Sequence, residues 1–137
     1  MIPFKLRKLD HVVLRVRDLA KSLAFYRDVL GCPVDKIQER IGLWQVRAGD
    51  SLIDLIPLDG PLGKMGGVGP GAEGRNLDHF AIQVTPFDEA QIRAHLAAHT
   101  VEVTDSGMRY GAEGDGPSIY IRDPDGNIVE LKGPAAH

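Results

Sequence analysis

Two histidines occur in matching sequence contexts and have the chemistry of metal ligands. The octet LDHVVLRV at residues 9–16 returns as LDHFAIQV at residues 77–84, which puts His11 and His79 at equivalent positions. A carboxylate, Glu130, follows in the last predicted strand. Two imidazoles and one carboxylate suit zinc, nickel, manganese, iron(II) or cobalt, and they leave coordination positions open for water or a substrate. A single strand histidine is more often a core residue bonded to a neighbour, but the repeat favours coordination.

The composition indicates a globular protein and argues against several partners. The chain has 137 residues, 43% hydrophobic and 26% charged, which is enough to bury one core. Its formal net charge is −3 and it has no basic stripe, so we expect no nucleic-acid partner. The single cysteine, Cys32, excludes an internal disulfide and a multi-thiolate zinc site. We find no signal-peptide pattern and no membrane-spanning run, so we expect a cytoplasmic protein without membrane association.

A segment with helical periodicity follows each histidine octet. An N-cap at Asp18 opens the first predicted helix, which ends at Gly31. Its apolar stripe is formed by Leu19, Leu23, Tyr26 and Leu30. Asp88 opens the second helix, which ends before Thr100. Its apolar stripe is formed by Ile92 and Leu96.

Three extended segments are predicted after each helix. They span roughly 36–41, 43–48 and 51–57, then 101–105, 118–123 and 128–132. The pattern is βαβββ twice, which predicts one α+β domain of two modules (about 6–58 and 76–133) with a glycine-rich connector at 60–74. Neither module can bury both faces of its sheet alone. We therefore expect both to curl into a half-open barrel with the helices outside.

Alternation along the predicted strands separates an apolar face from a polar face. The apolar face, which includes Leu14, Ile53, Ile121 and Val129, should lie under the helices. The opposite face should line a groove and carries His11, Asp54, His79, Gln83, Tyr120, Arg122 and Glu130. Buried polar groups without partners cost about 1–3 kcal/mol each, and a metal with a polar ligand would supply partners.

Several of these stretches resemble the vicinal oxygen chelate superfamily. That superfamily includes glyoxalase I, fosfomycin-resistance thioltransferases, extradiol dioxygenases, methylmalonyl-CoA epimerase and bleomycin-resistance proteins. The resemblance extends from Leu9 to Gly133 and is carried by LDH at 9–11 and 77–79, SLAFYRDVLG at 22–31, DPDGN at 123–127 and VEL at 129–131. The stretch from Gly111 to Glu130 is similar to uncharacterised glyoxalase-domain members.

The resemblance implies a ligand set, a dimer and a type of chemistry. By it, His11, His79 and Glu130 are metal ligands, and the protein is a homodimer with modules paired within or across chains. A small-molecule substrate would chelate the metal through vicinal oxygens. Glyoxalase I carries a longer Glu where Asp54 stands, which argues against that activity and leaves Asp54 as a fourth ligand or general base. Tyr120 and Arg122 are candidates for binding or polarising the substrate.

Two classes of function remain open from the sequence. The first is a metal-dependent enzyme, of the lyase or isomerase type or of the ring-cleaving dioxygenase type. The second is a small-molecule binding protein like the bleomycin-resistance proteins, without metal or catalysis. Retention of all three ligand types favours the enzyme, and a metal-binding scaffold without turnover is a third alternative.

Four other features have simpler interpretations. His95 and His99, at positions i and i+4 of the second helix, should lie on its solvated side. Gly63-Lys64-Met65 lacks the Ser or Thr of a phosphate loop and fits a flexible connector over the groove. Cys32 should be a small packed residue, and residues 134–137 should be a frayed tail.

Overall fold

The computed structural model describes residues 1–136, which form two groups of secondary-structure elements. The first group comprises β1 (His11–Val16), α1 (Leu19–Leu23) continuing as a π-helix (Ala24–Val29), β2 (Val34–Gln38), β3 (Leu43–Ala48) and β4 (Ser51–Pro57). The second comprises β5 (Phe80–Gln83), α2 (Glu89–Ala98), β6 (Asp105–Gly111), β7 (Gly114–Arg122) and β8 (Ile128–Lys132). Short 3₁₀ turns lie at Glu39–Ile41 and Gly63–Gly66. No helix within residues 1–136 is long and apolar enough to cross a membrane.

Each group builds a four-stranded mixed sheet with the same topology. The strand orders are β1-β4-β3-β2 and β5-β8-β7-β6, with β1 parallel to β4 and β5 parallel to β8. The sheets do not close on themselves, and β1 and β5 each lie at a sheet edge. The predicted α+β fold, with βαβββ repeated in a half-open curved arrangement, is confirmed.

The helices begin where the sequence predicts, but the first has an unexpected form. The Asp18 carboxylate accepts a hydrogen bond from Lys21 N at 3.1 Å, and the Asp88 carboxylate accepts one from Gln91 N at 3.0 Å. From Ala24 the first helix widens into a π-helix, which ends with a bond from Leu30 N to Phe25 O. The wider turn buries both Phe25 and Tyr26, whereas regular periodicity predicts only Tyr26 on the buried stripe.

Three predicted strands have wrong bounds. Strand β2 ends at Gln38, because residues 39–41 form a 3₁₀ turn that stops at Gly42 in the left-handed region (φ +69°). Strand β6 spans Asp105–Gly111, not 101–105, and pairs with β7 from the Asp105–Tyr120 register to the Gly111–Gly114 register. Strand β7 therefore begins at Gly114. Every residue of β6 is exposed or half-buried, so the strand has no buried apolar face whose alternation could be detected in the sequence.

One apolar core joins both sheets and both helices. The side chains that the alternation pattern assigned to the apolar faces are buried in it. Its fully buried members are Leu14, Val16, Tyr26, Val46, Leu55, Ile119, Ile121 and Val129. Val12, Phe80, Ile82 and Val84 pack against this core from its edge.

A buried polar network also fastens the two modules together. The Tyr26 hydroxyl donates to Asp123 Oδ2 at 2.7 Å, and Asn127 Nδ2 donates to the same oxygen at 2.8 Å. Asp123 Oδ1 accepts from the backbone N–H groups of Asp125 and Asn127. Burial, followed by the neighbouring Asp123 carboxylate, raises the pKa of Tyr26 well above its usual value, so the phenol stays a donor. The DPDGN sequence thus has a structural role between the modules.

Two arginines, one in β1 and one directly after it, bind the connector. Arg15 donates to the carbonyls of Gly67 and Val68 at 3.1 and 2.9 Å, and Arg17 donates to the carbonyl of Pro70. Gly66 lies against Arg15 so closely that a Cβ there would fall 2.4 Å from Nη1. The lack of a side chain at Gly66 therefore permits a close approach to the guanidinium.

Part of the predicted frayed tail is ordered against β7. Ala136 N donates to Asp115 O at 2.6 Å, and the carbonyl of Pro134 lies 2.6 Å from where a Cβ of Gly116 would stand. The glycine makes this approach possible, so the prediction of fraying is wrong for residues 134–136. His137 lies outside the described residues.

Cys32 is a packed core residue, as the sequence indicates, and should react slowly. It is 4% exposed, and burial raises the pKa of its thiol to about 11. Because the thiolate is the nucleophile, we expect iodoacetamide at pH 8 to alkylate the native protein about 100-fold more slowly than the urea-unfolded protein. Mass spectrometry of timed samples measures this ratio. Equal rates in the two states would show that Cys32 is accessible.

Candidate functional site

His79 and Glu130 face each other at the edge of the second sheet. His79 immediately precedes β5, and β5 pairs in parallel with β8, so that Ala81 lies opposite Glu130. His79 Nε2 is 3.3 Å from Glu130 Oε1, and Glu130 is only 5% exposed. Ligands of one tetrahedral zinc, with bonds of about 2.0 Å, are also separated by about 3.3 Å. The spacing of this pair therefore suits coordination of a single ion.

Both side chains of this pair are held in orientation by neighbours. Ser118 Oγ donates to Glu130 Oε2 at 2.6 Å, which leaves Oε1 toward the histidine. His79 Nδ1 lies 2.7 Å from Asp78 Oδ2. The hydrogen bond from His79, followed by the charge of Arg75, lowers the pKa of Asp78. An imidazole whose Nδ1–H is held by a carboxylate presents its Nε2 lone pair outward, as metal-binding histidines do.

A similar arrangement occurs in the first sheet. His11 Nδ1 lies 2.8 Å from Asp10 Oδ2, and Nε2 is 3.8 Å from Asp54 Oδ2. The hydrogen bond to Asp10, opposed by desolvation and assisted by the charge of Asp54, raises the pKa of His11. Asp54 is 3% exposed, and its other oxygen accepts a hydrogen bond from Gln45 Nε2 at 3.1 Å. Each sheet thus carries one histidine that faces one buried carboxylate.

The two pairs remain separate within one chain. Among residues 1–136, no three His, Cys, Asp or Glu side chains gather closely enough to hold a metal ion. The structure brings His79 to Glu130 and His11 to Asp54, but it does not bring His11 to the His79–Glu130 pair. We call His11 with Asp54 the first half-site and His79 with Glu130 the second half-site.

The two other predicted site residues differ in their surroundings. Tyr120 lies opposite Glu130 in the β7–β8 register, and its ring centroid is 6.0 Å from that of His79. Desolvation, followed by the Glu130 hydrogen bond and charge, raises the pKa of Tyr120. Arg122 is exposed near the end of β7 and takes part in none of the ion pairs found in residues 1–136. Tyr120 therefore adjoins the second half-site, whereas Arg122 lies exposed at the last residue of β7.

Several neighbours of the half-sites were missed by sequence reasoning. Asp10 and Asp78 were visible in the repeated LDH motif, because the same acidic residue precedes each histidine. Ser118 and Gln45 gave no such signal, since their roles depend on strand register. Arg109, whose guanidinium lies 5.5 Å from the Tyr120 ring centroid, was missed because β6 was placed too early in the chain.

A cleft separates the two edge strands. Its volume is about 700 Å³, and its lining includes His11 from β1, Gln83 from β5 and Lys132 from β8. The unpaired edges of β1 and β5 both border this cleft. The cleft is large enough for a small molecule. The strand edges beside it can also pair with another strand.

The histidine pair on α2 has a structural contact. The rings of His95 and His99 lie 4.7 Å apart, and both residues are exposed, as predicted. His95 Nε2 lies 2.7 Å from the carbonyl of Val29, so it donates a hydrogen bond to the end of the π-helix. This bond connects the second helix to the first module.

Paired mixed sheets of this topology define an α+β protein of the glyoxalase fold class, and sequence comparison gives its family. Residues 8–131 match the Glyoxalase/Bleomycin resistance protein/Dioxygenase superfamily, so the chain belongs to that superfamily. It is 30% identical over 129 residues to the virulence protein STM3117 of Salmonella typhimurium, covering 90% of this chain and 82% of that protein. It is 27% identical over 135 residues to the mitochondrial methylmalonyl-CoA epimerase of Mus musculus, covering 94% and 74%. The integron cassette protein VCH_CASS1 of V. cholerae superposes with a TM-score of 0.74 at 26% identity, covering 98% and 100% of the two chains.

Proposed function

We propose that the protein is a divalent-metal-dependent enzyme that acts on a small oxygenated molecule. His11, His79 and Glu130 are its proposed ligands, with Asp54 as a fourth ligand or general base. The observation that carries the proposal is the geometry of the half-sites. In each, an imidazole held at Nδ1 by an aspartate turns its Nε2 toward a buried carboxylate, at 3.3 Å in one and 3.8 Å in the other.

We infer that the complete site is assembled from two copies of the chain. Within residues 1–136 the half-sites are separate, and each offers two ligands. Both edge strands have an unpaired side, so the first half-site of one copy can approach the second half-site of another. A homodimer built in this way would contain two sites. Each site would have two imidazoles and two carboxylates.

The residues around the half-sites have distinct proposed roles. A bound divalent ion would act as a Lewis acid toward vicinal oxygens of the substrate. Asp54 is buried and has one oxygen committed to Gln45, so its other oxygen is free to accept a proton or to complete the ligand set. The pKa of Tyr120 is raised, so its hydroxyl stays protonated at neutral pH and could transfer its hydrogen bond from Glu130 to a substrate oxygen. Arg122 is a proposed binding group at the rim.

The lyase or isomerase type is the leading reaction class. A carboxylate near the metal can move a proton next to a polarised carbonyl, and the similarity to an epimerase supports that chemistry. Ring cleavage by an iron(II) dioxygenase is the second candidate within the same superfamily. A cytoplasmic location remains a prediction from the sequence.

Elemental analysis of protein purified without chelators tests this function. We expect about one divalent ion per chain, which corresponds to two sites per dimer. Zinc, nickel or cobalt would support isomerase chemistry, manganese the thioltransferase branch, and iron(II) with oxygen consumption the dioxygenase branch. Protein that takes up no metal even after incubation with each ion would contradict the proposal and favour a binding protein like the bleomycin-resistance proteins.

Loss of Asp78 should weaken metal binding without removing a ligand. In Asp78→Ala, the imidazole of His79 loses the partner that fixes its tautomer and ring orientation. We expect metal affinity to fall about 10- to 100-fold, measured by competition with a chromophoric chelator. Glu73→Ala, which removes an exposed carboxylate of the connector, is the matched control and should bind metal normally. Equal affinities in the two variants would rule out this role for Asp78.

A further inference from the structure

A lysine on the same strand as Glu130 is buried without an acidic partner among residues 1–136. Lys132 is 6% exposed, and its Nζ donates to the carbonyls of Arg109 and Gly116 at 2.5 and 3.3 Å. None of the ion pairs within residues 1–136 includes it. Removing an ammonium from water costs several kcal/mol, and two carbonyl dipoles offset only part of that cost. Two acceptors for its three N–H groups are present in the part of the chain that the structure describes.

Glycines make the space that this side chain occupies. The Lys132 stem reaches across the sheet to β6, where a Cβ on Gly111 would lie 2.4 Å from Cε and 2.9 Å from Cδ. Any larger residue at position 111 would displace the lysine. The space left by Gly111 therefore accommodates the Lys132 stem, and the two carbonyls hold its ammonium in place.

The residue that carries this ammonium lies next to both the second half-site and the cleft. Glu130 and Lys132 are two residues apart on one strand, so they share a face and their Cβ atoms are roughly 7 Å apart. Ser118, which holds the Glu130 carboxylate, lies opposite Lys132 in the β7–β8 register. Lys132 also lines the cleft between β1 and β5.

We propose that Lys132 anchors an anion subsite, so that the substrate is a small organic anion whose carboxylate or phosphate group contacts this ammonium. This inference rests on the proposed function, because it places the rest of the same molecule toward His79 and Glu130. A molecule whose anionic group lies a few atoms from its chelating oxygens could contact the Lys132 ammonium and the second half-site together. The subsite supplies a counter-charge that the buried ammonium does not find among residues 1–136.

Titration of metal-free protein with inorganic phosphate, and separately with acetate, tests the subsite. Lys132→Met keeps an apolar stem in the space left by Gly111 and removes the charge, and we expect it to weaken anion binding at least tenfold. Gly111→Ala keeps every charge but displaces the lysine, so it should weaken binding in the same direction. Lys36→Met, at an exposed lysine of β2, is the control with the same change in charge and should bind like the wild type.

The outcomes separate a phosphate-type substrate from a carboxylate-type one, and the subsite from the metal site. Preference for phosphate or for acetate identifies the kind of anion. Absence of binding of either anion by the wild type would overturn the proposal. Equal binding by the wild type, Lys132→Met and Gly111→Ala would overturn it too, and Gly111→Ala decides the matter if Lys132→Met does not fold. Because the titrations use metal-free protein, Lys132-dependent binding in a protein that takes up no metal would remove the proposed function and keep the subsite.

Discussion

His79→Ala is expected to abolish stable metal binding, lowering affinity at least about 100-fold, because it removes a ligand and not merely a neighbour of one. Glu130 would then lie buried and would still accept a hydrogen bond from Ser118 Oγ, 2.6 Å away. A carboxylate alone is a weaker site for zinc, nickel or cobalt than an imidazole–carboxylate pair. Metal content after dialysis, measured by elemental analysis, should fall to background.

A second histidine provides the matched control for this experiment. His99→Ala removes an exposed imidazole at the C-terminal end of α2, outside both half-sites, and should retain the metal content of the wild type. Both variants should keep the wild-type circular dichroism spectrum, since His79 is outside the apolar core. Undiminished metal in His79→Ala would remove His79 from the site.

Asp123→Ala is expected to have the largest effect on stability. Its carboxylate accepts four hydrogen bonds in a buried position, from the Tyr26 hydroxyl, the Asn127 amide and two backbone N–H groups. Removing it leaves those donors without an acceptor, and each unsatisfied buried group costs about 1–3 kcal/mol. After partial relaxation, we expect the free energy of unfolding to fall by about 3–5 kcal/mol.

Urea unfolding at one fixed protein concentration measures this difference, because a dimer makes stability depend on concentration. Asp59→Ala removes an exposed carboxylate and serves as the control, with an expected change within about 0.5 kcal/mol. Tyr26→Phe should fall between the two, since it deletes only one donor of the network. If Asp123→Ala unfolds at the same urea concentration as the control, the network does not hold the modules together.

Much of the fold follows from the repeated octet and from hydrophobic periodicity. Strands β3, β4 and β8 begin and end where alternation places them, because each has a buried face opposite a less apolar one. Strand β6 was misplaced because its register is set by the backbone ladder with β7 and its sequence contains glycines in place of alternating apolar residues. The π-helix was also missed, since periodicity alone does not distinguish one wider turn.

The candidate site was only partly predictable, for a physical reason. Strand alternation gives the face on which His11, Asp54 and Glu130 lie, but it does not give the packing of one sheet against the other. That packing depends on the shared core and on the Tyr26–Asp123 contact, which joins distant parts of the chain. The pairing of His11 with Asp54 and of His79 with Glu130 therefore became visible only in three dimensions.

Mixed dimers of two inactive variants test the assembly of the site most directly. Co-expression of His11→Ala carrying one affinity tag with Glu130→Ala carrying another, followed by purification on both tags, yields dimers with one copy of each variant. If sites form across two chains, one site of the mixed dimer combines the intact half-sites, and the other carries both substitutions. We predict one metal ion per mixed dimer, where each parent homodimer holds none. If the wild-type dimer holds two ions, a mixed dimer without metal would contradict a site shared between chains.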